Sequence, residues 1–424
     1  MTGPARLGTG PGPSLVSAPP LRSRSWPRPT KSEEAVSSIS EVDVRSRIDR
    51  LLEADPSDRR GFLGAQFDLG LAWVHFPEDC GGLGADREFQ RLVHDAVVSA
   101  DGPHPSHDIG YGMAAPTIVA SGTDGQKARW LRPLFTGEEV WCQLFSEPGA
   151  GSDVAGLSCR AVRDGDEWVV NGQKVWTSNA HLARWGLLVT RTDPDAPKHR
   201  GLTYFGIDLD QPGVEIRPLR QMTGQAEFNE IYLTDARVSE ADRMGDVGDG
   251  WRVALTTLMN ERVAIGGGTR ETGKTTVDWM LEAWNDHGHD DPARRDEMMR
   301  LWVRSEVLRL NNLRAEEART TGTPGPEGSI GKVLSAEFNK DAFAFALGLT
   351  GMDGTLFDGG YELDRTRPIL DYETLAEYFL RVRANSIEGG TTEVMRNILG
   401  ERVLGLPGDV RVDKDLAWKD VPRN

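Results

Sequence analysis

Apolar residues recur at helical spacing through the first third of the chain. Val44, Ile48, Leu51 and Leu52 fall on one face of a predicted helix over 41–54. Phe62, Phe67, Leu69 and Leu71 continue the pattern over 61–74, and it stops at Gly81-Gly82. Residues 88–100, 111–121 and 126–134 predict three further helices. Near residue 140 the texture changes. Gly and Pro become dense, and short strand-like runs appear at 167–170, 185–190, 203–207 and 231–233. Turn residues separate them, and Asn171-Gly172 predicts a hairpin turn. The stretch to about residue 237 therefore reads as an antiparallel β domain. From Gly248 the helical period returns over 250–283, 292–318, 328–349, 371–384 and 391–403. Gly-Thr-Pro-Gly-Pro at 322–326 is a turn, because consecutive Pro and Gly cannot continue a helix. No internal repeat is present. The domain expectation is a helical domain at 41–138, a β domain at 139–240 and a second helical domain at 247–407. An extension (1–40) and a polar tail (408–424) flank them.

Composition narrows this picture. At 424 residues the chain can pack two or three domains. It is 38% hydrophobic and 27% charged, which fits a globular protein. No segment approaches the roughly 20 consecutive apolar residues of a transmembrane helix. A net charge of −16 argues against nucleic acid as the main partner, though not against an anionic ligand in a local basic pocket. Cys80, Cys142 and Cys159 form no CxxC pair, which points to free thiols in a reducing, cytoplasmic setting. Each reads as a small buried hydrophobe, with a catalytic thiol at Cys142 or Cys159 as the alternative. No metal site is expected. Residues 1–32 hold five basic residues (Arg6, Arg22, Arg24, Arg28, Lys31), no acidic one and no secretory apolar core. They read as a disordered extension, an early start or a transit peptide.

The chemistry concentrates at Ser146-Glu147-Pro148-Gly149-Ala150-Gly151-Ser152-Asp153. Pro148, Gly149 and Gly151 make it a loop. Small residues let a planar or phosphorylated ligand approach the backbone, and Ser146 and Ser152 supply hydroxyls. An ordinary Gly-rich turn entering a strand would look similar, but the full string is far longer than such a turn requires. It resembles the flavin-binding signature of the acyl-CoA dehydrogenase family. The resemblance extends over 41–407. Ala72-Trp73 with Gly81-Gly82-Leu83-Gly84 resembles the family's first-domain segment, Asn171 to Ser178 its middle-domain segment, and Ser386 to Arg402 its C-terminal helix start.

The resemblance implies an α+β fold: a helical N-terminal domain, a middle antiparallel β-barrel and a C-terminal four-helix bundle. It implies FAD as cofactor and α,β-desaturation of an acyl-CoA thioester, a reaction of lipid metabolism. Phe145, Ser146, Trp176 and Ser178 match flavin-ring positions. Ser152 matches a hydroxyl near the cofactor pyrophosphate and the CoA. Thr391 and Glu393 match positions reaching the ADP part. Read alone, Trp176 would be a core aromatic and Thr391 a helix N-cap. The reaction needs a base at the α-proton and N–H donors for the developing oxyanion. Many members place a glutamate directly before the C-terminal Gly-Thr; here Gly389 stands there, with Glu388 one residue earlier. A subset carries the base on the first long C-terminal helix, in a string like Asn260-Glu261-Arg262. Glu261 is therefore the expected base and Glu388 the alternative. Gly389 would offer its N–H to the thioester carbonyl, and Arg262 matches an arginine near the CoA. A solvated, ion-paired helix carboxylate is the plain alternative for Glu261.

Two family motifs are absent. An Arg-x-x-Phe-Gly segment is replaced by Glu282 to His289, and a Gln-x-x-Gly-Gly helix end by Leu347-Gly348-Leu349-Thr350-Gly351. Both reach a partner subunit's cofactor in the family. The assembly is thus either a homo-oligomer with a rebuilt ADP site or a hetero-oligomer with a related subunit. The acceptor implied is an electron-transfer flavoprotein or similar. Two alternatives stand beside the dehydrogenase: an oxidase or other flavoprotein activity on the same scaffold, and a partner subunit. The acyl group is open, with Trp251, Leu258 and Met259 among the residues expected to shape its pocket.

Overall fold

The computed structural model describes residues 39–105, 109–266, 274–287, 291–320, 326–357, 372–410 and 413–422; side chains at 262–266, 316 and 318–320 lie outside that description, as does the extension to residue 38. The N-terminal helices are α1 (Glu41–Leu51), α2 (Arg59–Asp68), α3 (Gln90–Ser99), α4 (Ala115–Ser121) and α5 (Asp124–Thr136). Caps explain their starts. Ser40 and Asp43 form a reciprocal capping box on α1, and Thr123 and Gln126 another on α5. The helix predicted at 111–121 opens as a π turn, Gly110–Ala114. The ladder changes register just before Pro116, which has no N–H to contribute.

The middle domain holds β1 (Trp141–Leu144), β2 (Arg160–Asp164), β3 (Glu167–Ser178), β4 (Trp185–Arg191), β5 (Leu202–Asp208), β6 (Val214–Leu219), β7 (Phe228–Ser239) and β8 (Arg243–Met244). The order is β6-β7-β3-β2-β4-β5-β8, with β1 beside β4. Most pairs are antiparallel as expected, but β1 runs parallel to β4. β4 is buried along its whole length and β5 along all but its last residue, because both faces are covered. Leu187 and Val189 join one core with Trp130, Trp141 and Tyr204, while Leu188 joins a second with Phe205 and Ile207. The predicted hairpin at Asn171-Gly172 is not a turn. β3 continues through it with a bulge, and the β2–β3 hairpin turns at Gly165-Asp166 instead. A Cβ at Gly172 would come within 2.7 Å of the Cys159 backbone, so glycine here serves close packing.

The C-terminal layer comprises α6 (Gly250–Gly266), α7 (Thr276–Asp286), α8 (Pro292–Thr320), α9 (Glu327–Leu349), α10 (Leu375–Arg381) and α11 (Thr392–Ile398). The single helix expected over 250–283 is two, since Thr275 starts α7 afresh with its own capping box. The turn predicted at 322–326 lies outside the described residues except for Pro326. Met280, Ala283, Met298, Leu301, Phe338, Ala342 and Phe345 form the shared core of α7, α8 and α9. The tail does more than close the domain. Trp418 donates its indole N–H to the Gly156 carbonyl (3.1 Å) and lies under the Arg191 guanidinium. Lys198 joins Asp413 to Asp153 at 2.7 and 2.9 Å. Among the described residues, no helix is long and apolar enough to cross a membrane.

Candidate active site

Strand β1 delivers its chain into the loop at 146–153, and a buried ion pair fixes where that loop goes. Glu147 and Ala150 exchange backbone hydrogen bonds around Pro148-Gly149. The Glu147 carboxylate turns inward, 2.9 Å from the Lys174 ammonium on β3. It also accepts the Ser158 and Cys159 N–H groups at 2.7 and 2.9 Å. Lys174 is fully buried and donates to the Phe145 carbonyl at 3.1 Å. Burial works against the charge on Glu147; Lys174 and the two backbone donors overcome it and hold the carboxyl below its usual range. A buried pair of this kind is kept by its hydrogen bonds, so the loop has one geometry.

The same strand presents Trp176. The Val175 N–H donates to the Ser146 carbonyl at 2.9 Å, which brings the loop beside the indole. Trp176 lies in a second β3 bulge, between Lys174 and Thr177, with φ of +60°. It is 56% exposed and touches Phe228 edge-on at 5.8 Å. A non-glycine residue in the left-handed region, presenting a large exposed aromatic, is strained in a way that marks ligand sites. Trp176 is thus not the core aromatic of the plain reading. Ser178 follows on the same strand, half-buried and paired with Phe228 in register.

Two segments of the C-terminal layer meet this frame. Glu261 is half-buried on α6, and Gln143 of β1 donates to its carboxylate at 3.4 Å. The Arg262 side chain lies outside the described residues. Glu388 is held differently. Arg381 grips it with two bonds (3.1 and 2.7 Å), and Asn385 donates at 2.8 Å. The Arg381 guanidinium lies 6.0 Å from the Phe228 ring, so the 388–391 turn is tied back to the Trp176 platform. Gly389 and Gly390 both have positive φ (62° and 91°), which lets the chain reverse there. A Cβ on Gly390 would strike the Met395 methyl at 2.7 Å. Thr391 caps α11 through the Val394 N–H, as its plain reading had it, while Glu393 and Ser152 stand exposed. The three cysteines are free and buried; burial pushes the Cys159 thiol up to about 11 and Cys142 higher, which leaves neither as a thiolate nucleophile at neutral pH.

Three functional contributors escaped the sequence reading: the Glu147–Lys174 pair, the Gln143 amide and the Arg381 clamp. Glu147 and Lys174 each sit inside a motif, but spacing alone does not say that they pair. The donors present suit FAD. An exposed indole on a fixed bulge offers a face to a planar ring. Neutral hydroxyls at Ser146, Ser178 and Ser152, and backbone N–H groups of a Gly-rich loop, suit ring edges and a diphosphate.

The comparisons with known proteins bear on the family and the fold. Family models for the acyl-CoA dehydrogenase N-terminal, middle and C-terminal domains match residues 32–138, 142–236 and 248–404. The chain is 37% identical to the acyl-CoA dehydrogenase IpdE1 of Mycobacterium tuberculosis, over 84% of this chain and 89% of that protein. It is 40% identical to FadE34 of the same organism over 80% of this chain, which spans 45% of that longer protein. Among solved structures, a steroid ACAD, Tcur3481-Tcur3483, aligns with a TM-score of 0.66 and 25% identity over 87% of this chain and 97% of the other. The ChsE4-ChsE5 complex from M. tuberculosis aligns at 0.63 with 28% identity, over the same shares. This chain belongs to the acyl-CoA dehydrogenase family.

Proposed function

We propose that Glu261 is the base with which this acyl-CoA dehydrogenase takes the α-proton of its thioester substrate. FAD, when bound, supplies the acceptor for the β-hydride. The observation that carries the assignment is the contrast between two carboxylates. Glu388 has both oxygens committed to Arg381 and Asn385, which ties it to its own turn, whereas Glu261 lies half-buried on α6 beside Gln143 of β1, the strand that leads into the 146–153 loop. A base must lie within reach of the proton it takes, and α6 sets Glu261 beside the strand that feeds the flavin loop. In this reading Glu388 holds the turn that carries Gly389, and the Gly389 N–H faces the thioester carbonyl as negative charge develops there. Phe145, Ser146, Trp176 and Ser178 seat the ring; Thr391 and Glu393 reach the ADP portion; Ser152 and Arg262 serve the CoA.

The substrate we propose is a bulky, steroid-derived acyl-CoA. Support comes from the similar solved structures of a steroid ACAD, Tcur3481-Tcur3483, and of one variant of it. A panel of butyryl-, octanoyl-, palmitoyl- and C24 bile-acid-CoA thioesters, scored by anaerobic bleaching of the flavin, tests it. The bile-acid thioester should bleach fastest; a preference for octanoyl-CoA would overturn the substrate class. Glu261→Gln should retain flavin and lose about 1,000-fold or more in bleaching rate. Wild-type bleaching by that variant would remove Glu261 as the base. Electrons would pass on to an electron-transfer flavoprotein or similar acceptor, in the cytoplasm.

A second reading concerns assembly. Two relatives are named as pairs of different chains, Tcur3481-Tcur3483 and ChsE4-ChsE5. The replaced segments at 282–289 and 347–351 and an exposed apolar stripe on α8 favour a hetero-oligomer with a related subunit. One full FAD per chain in protein expressed alone would sink it and favour the homo-oligomer.

A further inference from the structure

Beneath Glu261, one helical turn back along α6, three hydroxyls meet in a place closed to solvent. Thr257 Oγ1 lies 2.9 Å from Thr117 Oγ1 of α4 and 2.9 Å from the Tyr204 hydroxyl of β5. All three residues are fully buried. Thr117 donates to the Met113 carbonyl, in the π turn, at 2.7 Å. Its one proton is therefore used, and the contact with Thr257 takes its proton from Thr257. Tyr204 in turn donates to Thr257. The Thr257 hydroxyl also lies within donating range of the Val253 carbonyl at 3.3 Å, so its one proton is shared between that carbonyl and the closer Thr117 oxygen. The order Tyr204, Thr257, Thr117, Met113 carbonyl gives every hydroxyl proton an acceptor and leaves Thr257 and Thr117 both donating and accepting.

This chain ties together elements of all three domains. α4 and the π turn belong to the N-terminal domain, β5 to the middle domain and α6 to the C-terminal layer. The Tyr204 ring also packs edge-on against Phe145 at 5.9 Å, at the entry to the flavin loop. Thr257 and Glu261 are four residues apart and so share one face of α6. A fold needs no polar chain at a position buried this fully, since an apolar residue of the same shape would pack there. What the hydroxyls add is direction: they fix where α6 sits along its axis against both other domains.

We propose that Thr257 is a positioning residue for Glu261, holding α6 through Tyr204 and Thr117 so that the carboxylate reaches the α-carbon. The inference rests on Glu261 being the base. A misplacement of about 1 Å at a reacting group can cost about 100-fold in rate. Thr257→Val keeps the shape and removes the hydroxyl. Its kcat for the thioester that bleaches wild type fastest should fall about 10- to 100-fold, with KM within about twofold. Thr257→Ser should restore most of kcat. Thr136→Val, which alters a buried threonine in the last turn of α5, should leave kcat unchanged. Exchange of the substrate α-hydrogen into D2O on the reduced enzyme should slow with kcat in Thr257→Val, because it reports the proton step alone. If Thr257→Val does not fold, Tyr204→Phe deletes one oxygen from the same chain and should lower kcat and exchange together. Wild-type kcat and exchange in either folded variant would overturn the proposal. Glu261→Gln, run in parallel, separates the two claims. Normal bleaching by that variant defeats the base assignment; its inactivity beside an unimpaired Thr257→Val defeats only the positioning role.

Discussion

The middle sheet and the C-terminal helical layer both contribute to the site, but they are finished to different degrees. In the sheet, the loop, bulge and indole are fixed by internal bonds: Glu147 to Lys174, Lys174 to the Phe145 carbonyl, Val175 to Ser146. The charged groups are inside, paired, and the Trp176 face is what remains for a ligand. In the helical layer, α8 carries Met299, Trp302, Val303, Val307, Leu310 and Leu313 along one stripe, each at least 42% exposed. Among the described residues nothing covers this stripe, and an apolar stripe at helical spacing is the face by which a helix packs. The comparison separates a frame closed by its own bonds from a helical face left open among the described residues.

The strongest way to break this contrast is to attack the sheet. Lys174→Met leaves the Glu147 carboxylate buried without its cation. It should lower stability by about 3–5 kcal/mol, a fall of roughly 3–6 °C in melting temperature for a chain of this length. Flavin should be lost with it. The effect should depend on pH. Because Glu147 titrates below its ordinary 4.5 in the folded wild type, its stabilisation is complete above that pH and lost as pH falls further. In Lys174→Met the carboxyl is pushed the other way and neutralises earlier. The gap between the two proteins should therefore narrow as acid is added through the region around 4.5. A gap constant from pH 7 to pH 4 would mean that the pair contributes shape rather than charge.

An attack on the helical layer should read out differently. Val307→Glu with Leu310→Glu places two charges in the exposed stripe, where the folded chain alone has little to lose. Melting of the isolated chain should move little. Association, by sedimentation velocity, should weaken about 30-fold, the scale of about 2 kcal/mol at an interface core. An unchanged oligomer would show that the stripe is not the contact, and would place the layer's missing cover elsewhere.

The same contrast governs what the sequence discloses. The three-layer order was legible because period and turn residues are local, and the flavin loop because its string is long and unbroken. Pairing across the fold is not local. Glu147 and Lys174 lie 27 residues apart, and Arg381 and Glu388 meet only after α10 ends. Trp176 reads as an ordinary strand residue until its φ of +60° is seen. Asn171-Gly172 carries good turn chemistry, yet the sheet absorbs it as a bulge because Gly172 packs on Cys159. The 250–283 pattern reads as one helix because apolar spacing continues past the cap at Thr275.

The finest probe of the contrast is that first bulge. The Asn171 side chain brackets Asp235 of β7, donating to its carboxylate at 3.0 Å and accepting its N–H at 3.0 Å. Asp235 has φ of +52°, so the bond steadies a strained turn of the chain. Asn171→Ala removes both contacts at an exposed place and should cost about 1 kcal/mol, or roughly 1 °C. Trp176 lies five residues along the same strand, past a second register shift. If the sheet frame is held by the Glu147–Lys174 pair, the loss at 171 stays local and flavin affinity is unchanged. A drop in flavin affinity matching the drop in melting temperature would mean that the bulges communicate, and that the indole is held by the strand as a whole rather than by the buried pair beside it.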